Sequence, residues 1–197
     1  MSFITGTSTE LIYASTAVGI AKNTFTSETA LNDEATMGPQ VYLPAGFWQP
    51  SKSNLGRGIR VVARGILSST ATPTYTFTIR LAASEAATSG PVVLGSAALT
   101  TASSTSNTFW EIEGDVILEG VGTTSGTSTV RGIGRCSASG ITTGGGVNPL
   151  YGSSVSPGTV ATVVQKAANF ITVNVACSAS ASQNTITLQQ LLIFGLN

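Results

Sequence analysis

The chain has 197 residues, nine acidic and nine basic side chains and no histidine; charged residues are 9% of it, against about 25% in an ordinary soluble domain. The composition speaks against chemistry that uses histidine as general base or metal ligand. A net charge of zero argues against nonspecific nucleic-acid binding, which needs surplus Lys and Arg to displace counterions, and against electrostatic attachment to anionic membranes.

From the N-terminus, MSFITGTSTELIYAS lacks a basic region and a long apolar run, so it is not expected to be a secretory signal. Residues 1–40 read as an extended polar arm with scattered anchors, Phe3, Ile4, Leu11, Tyr13, Ile20 and Phe25. One or two helical turns are predicted around Glu28–Thr36, with Ser27 as N-cap and Gly38-Pro39 as the stop. From Val41 a period of two takes over. In GIRVVARGIL, Ile59, Val61, Ala63 and Leu67 share one face, and Arg60, Val62, Arg64 and Ile66 the other. In TPTYTFTIRL, Tyr75, Phe77, Ile79 and Leu81 alternate with Thr74, Thr76, Thr78 and Arg80. The short break Ser68–Pro73 suggests a hairpin between these two strands.

Pro91–Leu99 is a short apolar strand. Asn107–Val121 puts Trp110, Ile112, Val116 and Leu118 on one phase, and Phe109, Glu111, Glu113, Asp115, Ile117 and Glu119 on the other. Thr129–Ser137 sets Val130 and Cys136 opposite Arg131, Ile133 and Arg135. Ser137–Gly158 reads as a long irregular loop. Phe170–Cys177 alternates Ile171, Val173, Val175 and Cys177 with polar or small residues, and Asn184–Phe194 places Ile186, Leu188, Leu192 and Phe194 on one phase. Seven or eight strands without intervening helices require antiparallel pairing, so an all-β sandwich or barrel over residues 41–197 is expected.

Four groups of residues could carry chemistry. Glu111, Glu113, Asp115 and Glu119 share a strand face. They could form a calcium site or a glycosidase pair, but cross-strand pairing with Arg60/Arg64 or Arg131/Arg135 is the favoured reading. Cys136 and Cys177 lie on apolar phases and read as small buried hydrophobes; a disulfide requires Cα atoms within about 7 Å and so neighbouring strands. Gly56-Arg57-Gly58 and Gly132-Ile133-Gly134 open no helix, so a phosphate loop fails on context, and bulges or close backbone packing are expected. Phe47-Trp48 and Phe109-Trp110 could stack on a sugar, with one member of each pair outward, although core or interface is favoured.

The stretch LPAGFWQPSKSNLGRGIRVVARGILSSTATPTYTFTIRL (Leu43–Leu81), the phrases FWEIEGDVIL and TVRGIGR, and the ending TITLQQLLIFGLN resemble a family of minor structural proteins of tailed bacteriophages, chiefly those of actinobacteria. The likeness spans about residues 40–197. It implies a jelly-roll-like antiparallel β-sandwich there, while the N-terminal arm before it lies outside the likeness. It also implies a virion protein of the phage head, made in the host cytoplasm: a homotrimeric capsid decoration protein that clamps the major capsid protein. The alternative is a minor tail or tail-fibre protein that binds host surface glycans, which would need an exposed aromatic groove. No enzyme activity, catalytic residue, cofactor, metal, nucleic acid or membrane is expected in either case.

Overall fold

The computed structural model describes residues 9–39, 41–50, 57–142, 146–152 and 160–196. Among them are thirteen strands and one four-residue helix. In chain order these are β1 (Thr9–Ala14), β2 (Thr29–Ala30), α1 (Glu34–Met37), β3 (Tyr42–Leu43), β4 (Gly58–Ser69), β5 (Thr74–Ala82), β6 (Val92–Ser96), β7 (Leu99–Thr100), β8 (Thr105–Val121), β9 (Thr127–Ala138), β10 (Val147–Tyr151), β11 (Ala161–Val164), β12 (Asn169–Cys177) and β13 (Thr185–Leu196). All pair antiparallel, in the order β1-β13-β4-β8-β9-β10-β6-β5-β12-β2, with β11 on β9, β3 on β12 and β7 on β5.

This sheet folds over on itself without closing into a barrel. One layer is β1-β13-β4-β8, and the facing layer is β2/β3-β12-β5-β6. The chain visits them in turn: β1, then β2 and β3 opposite, β4 back, β5 and β6 opposite, β8 back, β12 opposite, β13 back. That alternation is the double Greek-key path of a jelly roll. β9 widens the first layer, and β10 pairs with both β9 and β6, joining the layers along one side.

The alternating apolar phases meet in the middle. Ile59, Val61, Ala63 and Leu67 of β4, Trp110, Ile112, Val116 and Leu118 of β8, Tyr75, Phe77, Ile79 and Leu81 of β5, and Ile171, Val173 and Val175 of β12 are all buried in one core. Phe77 and Trp110 touch across it, ring centroids 5.2 Å apart, and the Trp110 indole donates to the Ile66 carbonyl at 3.2 Å. Burying these side chains is worth about 1.5–3 kcal/mol apiece for the aliphatic ones, which is why the period-2 pattern, and not local propensity, decides the fold.

Several expectations change. The Ser68–Pro73 break is no hairpin: β4 pairs with β13 and β8, and β5 with β12, β6 and β7, so the connection crosses between layers. A length that permits a hairpin does not require one, because both strands have better partners far along the chain. The helical turn starts later than Ser27. Asp33 is the N-cap, its carboxylate accepting from Thr36 N at 3.1 Å, while Thr29–Ala30 is already strand. In β13 the register shifts between Leu188 and Gln190. Beyond it Leu191 and Ile193 are buried, while Leu192 and Phe194 lie on the outer face, because a bulge moves every later side chain to the opposite face. Part of the expected loop is β10, whose ladder with β6 begins at Leu150, past Pro149.

Residues 9–39 are largely extended, and they are seated on their own sandwich. β1 pairs with the edge of β13, and the chain continues beside it through Gly19 N to Leu188 O and the Lys22–Ile186 bridge. Leu31 and Met37 enter the core. Between the short pairings of β2 and β3, the Asn32 side chain stands in for a strand: its amide donates to Ile171 O at 3.0 Å and accepts from Val173 N at 2.7 Å. Glu28 clips the same segment down with two hydrogen bonds from Arg80, at 2.7 and 2.8 Å, and one from the Thr78 hydroxyl.

Candidate functional site

The acidic row of β8 lies on the outer face of the first layer, and its carboxylates are paired. Arg60 on β4 grips Asp115 with two bonds of 2.7 and 2.9 Å. Arg64 pairs with Glu111 and also donates to Gln190. Arg135 on β9 reaches Glu113 at 2.9 Å, and Arg131 reaches Glu119 at 2.6 Å. The register explains this, since Arg60 and Asp115, Arg64 and Glu111, and Glu113 and Arg135 stand directly opposite one another. A shallow depression of about 280 Å³ here is lined by these same paired charges around Ile133. Among the described residues no group of three or more His, Cys, Asp or Glu is placed to hold a metal ion.

Both thiols are free and buried. Cys136 is in β9 and Cys177 in β12, strands of opposite layers that are not neighbours. Burial pushes the Cys136 thiol up to about 12, which makes it inert as a nucleophile.

The glycines of β8 and β9 serve packing. A Cβ at Gly132 would fall 1.7 Å from the Val93 carbonyl oxygen, and one at Gly114 would fall 2.6 Å from Leu94 Cδ1. Only glycine lets β6 cross this close where the layers join.

The two aromatic pairs named from sequence do not make a platform. Phe47 and Trp48 are both buried, in edge-to-face contact at 4.7 Å and 82°. They sit in a turn, closed by Phe47 N to Pro44 O and Gln49 N to Gly46 O, so strand alternation does not apply to them. Phe109 does point outward, 48% exposed, while Trp110 is buried. Phe109 stands on the sheet face opposite Ile66.

An aromatic cleft occurs elsewhere, on the side where the layers do not join. It has a volume of about 310 Å³ and is lined by Ile12, Tyr13, Thr16, Met37, Pro39, Val41 and Tyr42. A β-bulge between Leu11 and Tyr13 sets the first wall, aligning Tyr13 with Ile193 and leaving Ile12 as the extra residue. β3 sets the second wall. Leu43 is buried, so Tyr42 faces out, 51% exposed, and its ring leans on Phe170 at 5.6 Å and 59°. The floor is Met37 and Val41, both buried. Gly38 turns the chain after α1 with φ 82°; a Cβ there would lie 2.8 Å from Thr16 Oγ1, so glycine brings the Pro39 rim close to Thr16.

The cleft is neutral. Burial pushes the Tyr13 phenol above its ordinary value, so it stays protonated. The Thr16 hydroxyl donates to Met37 O at 3.3 Å, leaving its lone pairs to accept. Among the described residues no hydrogen bond is made by the phenol oxygen of Tyr13 or of Tyr42. Sequence reading missed this site because its residues come from three short segments with no common period. The one available signal was Tyr13 and Tyr42 in otherwise apolar tetrads, LIYA and VYLP.

No family model matches the chain, and no curated protein matches it. A solved structure similar to it is the CBM2 module of the evolved Dit of Lactobacillus casei BL23 phage J-1, at a TM-score of 0.37 and 14% identity, over 98% of each chain. A likeness this distant carries no argument about function.

Proposed function

We propose that this chain is a non-enzymatic jelly-roll component of a phage virion, associated with the tail, that binds a saccharide of the host surface in the cleft between Tyr13 and Tyr42. The observation that carries the reading is the cleft itself: an outward aromatic ring beside a concave apolar floor, with unpartnered hydroxyls at the mouth. Its volume of about 310 Å³ falls at the lower end of ligand sites, roughly 300–1,000 Å³. A pyranose offers one face of C–H groups to such a ring and a rim of hydroxyls to the phenols and Thr16. The resemblance of residues 40–197 to tailed-phage structural proteins supports the virion setting. The paired carboxylates speak against hydrolysis, because a general acid must be free to give up a proton to the leaving group.

Calorimetric titration with host-wall saccharides tests this. Binding that is lost in Tyr42→Ala and kept in Phe109→Ala supports the reading; absence of binding, or dependence on Phe109, contradicts it.

A second reading, a homotrimeric decoration subunit on the major capsid protein, is favoured by exposed apolar side chains, Leu11 and Ile133 on the first layer and Val147 on β10. Copy number per virion separates the two, with hundreds for a head protein and a handful for a tail protein.

A further inference from the structure

We infer that the cleft selects uncharged pyranosides and rejects anionic ones, uronates and phosphate-bearing sugars alike. The inference rests on the saccharide-binding reading and names the ligand class within it. Among the described residues no Lys, Arg, Asp or Glu lines the cleft. The lining offers hydroxyl groups, the two phenols and Thr16, and the Thr16 proton is already given to Met37 O. The backbone N–H of Thr16 is used as well, on the same carbonyl at 3.4 Å. An anion entering here would lose water and meet no cation among the described residues, and desolvating an unpaired charge is costly. A neutral ring loses little, because the two phenols each donate and accept.

Lys22 and Arg80 are outside the lining and already committed, Lys22 to Asp33 at 3.2 Å and Arg80 to Glu28. The floor favours an apolar substituent over a charged one, since Met37 and Val41 are buried side chains with no polar atom beyond a thioether. Selectivity therefore comes from omission: among the described residues the walls hold no cation to pair with a negative charge, and two neutral phenols do not replace one.

Calorimetry with methyl pyranosides of glucose, galactose, mannose and N-acetylglucosamine, each beside methyl glucuronate and methyl galacturonate, tests this. Neutral glycosides should bind at least about tenfold more tightly than the uronates, a gap of about 1.4 kcal/mol, and affinity should not change with salt. Pro39→Arg, a change at the exposed rim, should narrow the gap by admitting the uronates. Uronates that bind the native protein as well as the neutral sugars, or a gap that Pro39→Arg leaves unchanged, overturn the selectivity while leaving saccharide binding intact. Failure of every glycoside to bind overturns the saccharide reading and the selectivity with it.

Discussion

The two sides of the sandwich are built in opposite ways. On the side joined by β10, β6 crosses β8 and β9 so closely that Gly114 and Gly132 have no room for a methyl group. On the far side, β1 ends one layer and β2 and β3 end the other without pairing to each other. There the gap is walled by Tyr13 and Tyr42 and floored by Met37 and Val41. One side spends its side-chain volume on closeness, the other on an opening. The lesson is that a jelly roll left unclosed keeps an opening at its free edge, where side chains from both layers converge.

Four changes bear on that contrast, from the largest effect to the smallest. Gly132→Val should cost more than about 4 kcal/mol or abolish folding, because its Cβ would start inside the Val93 carbonyl; urea unfolding or soluble yield reads this. If the variant folds normally, the joined side is not tightly constrained. Tyr42→Ala should leave the unfolding midpoint nearly unchanged, since the ring is half exposed, while weakening saccharide binding about tenfold or more, as loss of an aromatic stacking surface does.

The third test concerns pH. Burial pushes the Glu28 carboxyl up, but the bonds from Arg80 and Thr78 and the Arg80 charge outweigh it, so it titrates below its ordinary value. Asp33 behaves likewise, burial being outweighed by Thr36 and Lys22. Folded values below unfolded ones mean that this stability is present above the unfolded carboxylate range and is lost as pH falls through the folded values. Cys136 has the opposite sign: its stability holds below the ordinary thiol value of 9.0 and is lost as pH rises toward about 12. Thermal midpoints should therefore be flat between about pH 5.5 and 8 and fall at both extremes, with Glu28→Gln weakening the acid limb. A steep slope between pH 6 and 7.5 would reveal another titrating group. The smallest effect is at the exposed charge ladder. Arg131→Ala should cost at most about 0.5 kcal/mol and less in high salt, as read by chemical denaturation at two ionic strengths.

The long strands were legible because their burial follows a strict period of two. Tyr75, Phe77, Ile79 and Leu81, and Trp110, Ile112, Val116 and Leu118, point inward as their spacing predicts. The Arg–acid register across β4, β8 and β9 was legible for the same reason. Bulges erased the signal elsewhere. The irregularity after Leu188 reverses Leu192 and Phe194, and the one after Leu11 brings Tyr13 to the cleft. The cleft was illegible because it depends on which edges stay unpaired, a property of the whole topology. Residues 9–39 were hard to read because they attach through backbone bonds and a few scattered side chains, Glu28, Leu31, Asn32 and Met37, leaving no amphipathic stripe.

Methyl NMR tests the central claim most directly. The chain has two methionines, and one of them, Met37, floors the cleft. In protein carrying ¹³C-methyl methionine, titration with a neutral pyranoside that binds by calorimetry should shift the Met37 methyl signal saturably, with the calorimetric affinity, and the shift should vanish in Tyr42→Ala. A saccharide that binds while the Met37 methyl stays unmoved would place recognition elsewhere on the molecule and contradict the account.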